Sequence, residues 1–281
     1  MSPSKRDKID FYANDEFLSA FVKFMNSSRI SQSFAGLKLA KQKGFIPFIT
    51  AGDPNLAATK DLILMLAARG ATIIELGVPF SDPMADGVVI QKSSERALKN
   101  NFGIAEIFEL VREVRQETAV PIILFGYFNP LLQYGLEKLC REAHDAGVDG
   151  FLVTDLVPEE AAEFLNLLRR SGLDMIFLIA PTSGDERLKM IAEKASGFIY
   201  AVSRAGVTGA RETTSQSAEI LVNRMRRFSD LPVAVGFGIS TAAQIEETLK
   251  YADAAVVGSA IVAQIEQYNQ LKDIVSKVEK F

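Results

Sequence analysis

Eight short apolar runs, each followed by a helical pattern, set the tightest limit on how this chain folds. They occupy residues 45–50 (FIPFIT), 72–76 (TIIEL), 121–125 (PIILF), 150–154 (GFLVT), 175–180 (MIFLIA), 197–202 (GFIYAV), 232–236 (PVAVG) and 254–258 (AAVVG). The runs are apolar almost throughout, as expected when both faces of a parallel sheet are buried. Helical patterns fall at 30–39, 55–69, up to 117, 136–146, 158–170, 185–195, 217–228 and 241–250, with a last one in the tail to Phe281. Eight β/α units in about 250 residues describe a closed barrel, where a doubly wound sheet would have fewer strands. No linker of domain-boundary character interrupts the series. The reading is one α/β domain, a single (β/α)8 TIM barrel, over residues 29–281. Residues 1–28 form an N-terminal extension in which Glu16–Met25 carries the pattern of a short amphipathic helix. A loosely held appendage and a packing or interaction role both fit that extension.

In such a barrel every strand ends on the same face, so residues there converge. The stretch Ile73–Gln91, IIELGVPFSDPMADGVVIQ, presents Glu75 at a strand end, breaks at Gly77 and Pro79, and carries Asp82 and Asp86 in a turn-rich loop. Carboxyl groups at that end of a strand are placed for general acid–base work. A salt-bridged Glu and a solvated Asp loop are the other reading. Three later strand ends carry glycine: 203–209, 236–240 and 258–260. Glycine lets the backbone approach an anion, and a helix N-terminus aims N–H groups at it. Each glycine alone also fits turn chemistry, but three at consecutive strand ends favour a phosphate cradle. A dinucleotide fingerprint is a poor match, because Thr241 stands where its third glycine belongs. Phe48, Tyr127 and Tyr200 at other strand ends either wall a pocket for a flat apolar group or pack the core.

Composition removes several classes of function. A net charge of −4 and a pI near 5.3 give no support for binding nucleic acid or an anionic membrane. No apolar run approaches the roughly 20 residues that span a bilayer, and the N-terminal segment lacks the features of a signal peptide. One cysteine excludes an internal disulfide and suits a reducing cytosol. Cys140 and His144 would share a helix face, but they are the only thiol and the only imidazole. They read as packing residues rather than a metal site or a nucleophilic pair. The residues therefore point to a barrel enzyme for a small phosphorylated substrate, using carboxyl acid–base groups and no metal.

The segments FIPFITAGDP (45–54), ELGVPFSDPMADGVVIQ (75–91), LIAPTS (178–183), SRAGVTGAR (203–211), GFGIS (236–240) and VVGSAIV (256–262) together resemble the tryptophan synthase α subunit. The resemblance runs in order from about Arg29 to the C-terminus. The ELGVPFSDP…ADG string is its most specific part, whereas the glycine motifs are shared with other phosphate-binding barrels. It implies retro-aldol cleavage of indole-3-glycerol phosphate to indole and glyceraldehyde 3-phosphate in tryptophan biosynthesis. By the same resemblance Glu75 is the acid–base catalyst and Asp86 holds the indole N–H. Gly209, Phe237, Gly238, Gly258 and Ser259 bind phosphate, and Phe48, Tyr127 and Tyr200 surround the indole pocket. Thr208, in the loop 203–216, positions the loop 79–87 and with it Asp86. No cofactor is implied in this chain. Pyridoxal phosphate belongs to a β-subunit partner in a cytoplasmic α2β2 complex, which receives indole through a tunnel. A stand-alone indole-3-glycerol phosphate lyase and a non-catalytic barrel that activates a β subunit are the alternatives. The chain departs from the family pattern at Pro158, one position late in a segment that contacts the β subunit. Ala205 replaces a frequent Ser and Ala254 a frequent Gly, and the N-terminus is longer than usual.

Overall fold

The computed structural model describes residues 27–202, 211–236 and 238–267. The amphipathic pattern at Glu16–Met25 lies outside the described residues. Eight parallel strands close into a barrel in chain order: β1 Gly44–Thr50, β2 Ile74–Gly77, β3 Ile122–Gly126, β4 Gly150–Val153, β5 Asp174–Ile179, β6 Ile199–Val202, β7 Val233–Gly236 and β8 Ala254–Val257. The seam closes where β1 pairs with β8, Gly44 opposite Ala254. Strand side chains alternate between two cores. Ile46, Ile73, Ile123, Leu152, Ile176 and Phe198 fill the barrel interior. Their neighbours, such as Ile49, Ile74, Ile122 and Phe151, pack outward under the helices. A strand that is apolar on both faces has no side to turn to water, which is why the eight runs lack polar alternation.

Helices α1 (Arg29–Ala40), α2 (Leu56–Ala68), α3 (Val88–Leu98), α4 (Ile104–Val114), α5 (Phe128–Tyr134), α6 (Leu136–Ala146), α7 (Ala162–Arg170), α8 (Asp185–Lys194), α9 (Arg211–Met225), α10 (Ala242–Leu249) and α11 (Ser259–Gln267) complete the barrel. The single helical span expected before residue 117 is two helices, α3 and α4. Asn101 adopts a positive φ of 52° at the break, and the Gly103 N–H donates to the Glu106 side chain to start α4. The helix expected from 158 begins only at Ala162, and Lys194 Nζ donates to the Pro158 carbonyl at 2.6 Å in the turn before it. A short helix not expected from the sequence, α5, precedes α6 and is separated from it by Gly135 at φ 91°. The helix expected at 217–228 starts earlier, at Arg211.

Helix α1 closes the floor of the barrel. Ile30 and Phe34 are buried there, and Phe34 lies 5.8 Å from the Phe198 ring. Arg29 and Arg115 both reach Asp149 at the start of β4, while the Ser28 hydroxyl donates to Asp174 at 2.6 Å. With the floor sealed, the open end of the barrel is the C-terminal mouth. No helix among the described residues is long and apolar enough to cross a membrane.

Candidate active site

Glu75 is the second residue of β2 and stands opposite Phe48 on β1 and Ile123 on β3. It belongs to the inward-facing set, so the strand delivers its carboxyl into the barrel rather than under a helix. Only 1% of it is exposed, and among the described residues its Oε1 has no hydrogen-bond partner. Burial holds this carboxyl well above the usual carboxylate range. Tyr200 on β6 shares the interior, and burial together with the Glu75 carboxyl raises its own pKa. A Cβ at Gly236 would lie 2.0 Å from the Tyr200 hydroxyl. That glycine makes room for the phenol rather than for an anion, a use the sequence pattern did not reveal.

Asp86 sits in the turn before α3, with its N–H donating to the Pro83 carbonyl at 3.1 Å. It is half-buried, and burial lifts its carboxyl to about 6 against the opposing pull of a hydrogen bond from Tyr127. The Tyr127 oxygen also accepts the Ala85 N–H at 2.9 Å. Tyr127 therefore braces the Asp86 turn from β3's end and stands behind the cavity wall.

One cavity at the mouth brings together Phe48, Glu75, Asp86, Tyr200, Gly238, Gly258 and Ser259. Thr208, Gly209 and Phe237 lie outside the described residues. Sequence reasoning missed the apolar lining formed by Phe125, Ile90 and Val256. Phe125 meets Phe48 edge-on at 5.2 Å between ring centroids. Its signal was available, since Phe125 is two residues after inward-facing Ile123 on the same strand. Ile90 gave none, because it reaches the cavity through the packing of α3 beside Phe48 and Val262. At the opposite end α11 starts at Ser259, so the first-turn N–H groups of a helix open on the cavity. Cys140 is buried on α6 with its thiol pushed up to about 11 by burial, which removes it from nucleophilic work. Among the described residues no cluster of His, Cys, Asp and Glu can hold a metal ion.

The slot thus has apolar walls, a buried carboxyl held above the usual carboxylate range, a second half-buried carboxyl and a helix N-terminus at its end. Fold and cleft define a (β/α)8 barrel of the enzyme class, with acid–base groups at the C-terminal mouth. The family model for the tryptophan synthase alpha chain matches residues 34–281. A tryptophan synthase alpha chain from Geobacter sulfurreducens is 53% identical over 241 residues, covering 86% of this chain and 91% of that protein. The tryptophan synthase subunit alpha of Legionella pneumophila superposes with a TM-score of 0.82 at 35% identity, covering 90% of this chain and 96% of the other. A chain of the tryptophan synthase a2b2 complex from Pyrococcus furiosus superposes with a TM-score of 0.78 at 42% identity, over 84% and 96% of the two chains. The protein described here belongs to the tryptophan synthase alpha chain family.

Proposed function

We propose that this chain cleaves indole-3-glycerol phosphate to indole and D-glyceraldehyde 3-phosphate, with Glu75 as the proton-transfer group and Asp86 at the indole nitrogen. The observation that carries the assignment is the buried Glu75 carboxyl, one oxygen of which has no partner among the described residues. An enzyme that kept such a group only for packing would gain nothing from it, because an unsatisfied buried polar atom costs stability. The indole lies in the slot between Phe48, Phe125, Ile90 and Val256, flanked by Tyr200. Its phosphate sits at the start of α11 with Gly238, Gly258 and Ser259. Thr208, Gly209 and Phe237 complete this end of the site.

Neutral Glu75 donates its proton to the indole carbon that bears the side chain. The hydroxyl on the adjacent side-chain carbon loses a proton, its O–H electrons become the new carbonyl bond, and the carbon–carbon pair returns to the ring. One proton enters carbon and one leaves oxygen, so a single carboxyl that exchanges between the two atoms closes the cycle. The positive charge that develops on the ring nitrogen is greatest in the transition state, where the Asp86 carboxylate stabilises it. Apolar walls strengthen that interaction by excluding water.

In this reading residues 29–281 are the lyase barrel of a cytoplasmic enzyme and residues 1–28 an appendage to it. The chain uses no cofactor of its own, and pyridoxal phosphate belongs to a β subunit in an α2β2 complex. Support for the partner comes from the likeness to the Pyrococcus furiosus complex. Further support comes from apolar side chains left exposed in the loops and helices that follow β2, β3 and β4, namely Met84, Val88, Leu132 and Val157. The test is indole release from indole-3-glycerol phosphate by the purified chain, alone and with a β subunit. Weak activity that rises with the partner supports the α-subunit reading. High activity indifferent to the partner makes the chain a stand-alone lyase. No indole in either condition from folded protein leaves only a non-catalytic activator and sinks the assignment.

A further inference from the structure

The turn that carries Asp86 has little packing of its own. Met84 is 91% exposed, and Ser81, Asp82 and Ala85 also face solvent. Two side chains tie it down. Tyr127 holds it from one side through the Ala85 N–H. From the other, Gln91 Nε2 donates to the Asp86 carbonyl at 2.9 Å and lies 3.4 Å from the Pro83 carbonyl.

We propose that Gln91 is a positioning residue, which fixes the direction of the Asp86 side chain by locking the Asp86 backbone to helix α3. The inference rests on the role given to Asp86 above. Gln91 lies in the first turn of α3, where its own N–H takes the Gly87 carbonyl at 3.0 Å. A helical side chain leans toward the N-terminus, so a residue at this position covers the turn that precedes the helix. An amide is the right length and supplies an N–H donor, and backbone carbonyls accept it.

The helix it ties to is itself immobilised by polar contacts with the loop after β1. Ser93 and Thr50 share a hydrogen bond of 2.6 Å, both fully buried. Arg96 grips Asp53 with two bonds of 2.9 and 2.7 Å and reaches Glu266 on α11 at 3.3 Å. Helix α3 is thereby referenced both to β1, the neighbour of Glu75's strand, and to the helix whose N-terminus closes the other end of the cavity. Gln91 transmits that frame to an otherwise exposed turn. Among the described residues, the titratable groups facing Asp86 are Glu75 and Tyr200 across the cavity and Tyr127 behind it.

Gln91→Met keeps the length and removes the donor, and three readouts follow from it. Titration of the Asp86 carboxyl by carbon-13 NMR in substrate-free protein is expected to have its midpoint near 6 in the wild type, where burial lifts the group. In the variant the freed carboxyl turns toward water and the midpoint falls toward the ordinary Asp range, while the thermal midpoint holds. Turnover falls about tenfold to a hundredfold, the size of effect that a misplaced group produces, with KM little changed. In an Asp86→Asn background the same substitution costs less than about twofold, since the group it positions is gone. An unshifted Asp86 titration, or an equal loss of turnover in both backgrounds, overturns the proposal. If the wild type releases no indole, the cleavage assignment fails while the titration still decides for or against Gln91.

Discussion

At the floor of the barrel Asp149 is buried, and every demand of its carboxyl is met. Arg29 and Arg115 reach it at 2.6 and 2.8 Å, and the Ile122 N–H adds a bond of 2.7 Å. At the mouth Glu75 is buried as deeply, yet among the described residues no cation pairs with it and one oxygen has no partner. Burial pushes both carboxyls up. At Asp149 two guanidinium groups and a backbone N–H pull against that rise, whereas at Glu75 nothing does. The same residue class in the same barrel thus serves opposite ends. An engaged carboxyl ties α1 and β3 to the floor, and an unengaged one suits the proton exchange proposed for Glu75. Residue type and burial do not separate structure from chemistry here; partners do.

The sharpest way to break that contrast is to remove the proton from the mouth. Glu75→Gln keeps shape and burial but cannot transfer a proton, and kcat is expected to fall by about 10³-fold or more, at the upper range of general acid–base effects. Binding of a phosphorylated substrate analogue, measured by calorimetry, should survive. Equal loss of binding and turnover would make Glu75 a structural residue like Asp149. The converse substitution tests the floor. Asp149→Ala leaves the largely buried Arg115 guanidinium and the more exposed Arg29 without their counter-charge, and unfolding free energy should drop by about 3 kcal/mol. Chemical denaturation reads that loss, and kcat measured at a temperature where the variant is folded should stay within about twofold of wild type. A large fall in kcat without loss of stability would erase the division between the two ends.

What the sequence disclosed follows the same division. Strands were legible because both faces of each are buried, and the eight apolar runs match the observed strands to within about two residues at most ends. Glu75 was legible as a lone acid in an apolar run, which strand alternation then aims inward. The break between α3 and α4 was not, because it is set by Asn100 reaching the Gly52 and Pro54 carbonyls, a contact about fifty residues away in the chain. Nor was the packing use of Gly236, which depends on a phenol from the neighbouring strand. The ion pairs at the floor carry no local signature either. Arg29, Arg115 and Asp149 come from three separate elements and look like ordinary surface charges in the sequence.

The pH profile sharpens the contrast at the second mouth carboxyl. In the proposed reaction Asp86 acts as an anion, and its folded-state pKa is raised to about 6 by burial. As pH falls through that value the group gains a proton and loses the charge that stabilises the ring nitrogen. The acidic limb of kcat/KM should therefore bend near pH 6 and fall about tenfold per unit below it. The substrate phosphate titrates in a similar range, so the control is Asp86→Asn. Its residual activity should lose the part of the limb that belongs to the enzyme. An unchanged limb would assign the bend to the substrate.

The smallest effect is on stability, and its sign is opposite to that usual for a carboxyl. Glu75 has a folded pKa above its unfolded value, so the folded state holds a proton that the unfolded chain releases. Stability is highest below the unfolded carboxylate pKa and declines as pH rises from there toward the folded value. Glu75→Gln has no proton to hold and escapes that decline. The variant should accordingly melt at a higher temperature than wild type at pH 8, and the gap should close as pH is lowered to about 4. Asp149 should behave differently: burial raises its pKa too, but Asn cannot answer the charge of two guanidiniums, so Asp149→Asn should remain destabilising at pH 8. A Glu75→Gln variant that melts lower than wild type at every pH would mean that its unpartnered oxygen is satisfied in solution. The two ends of the barrel would then differ less than their geometry implies.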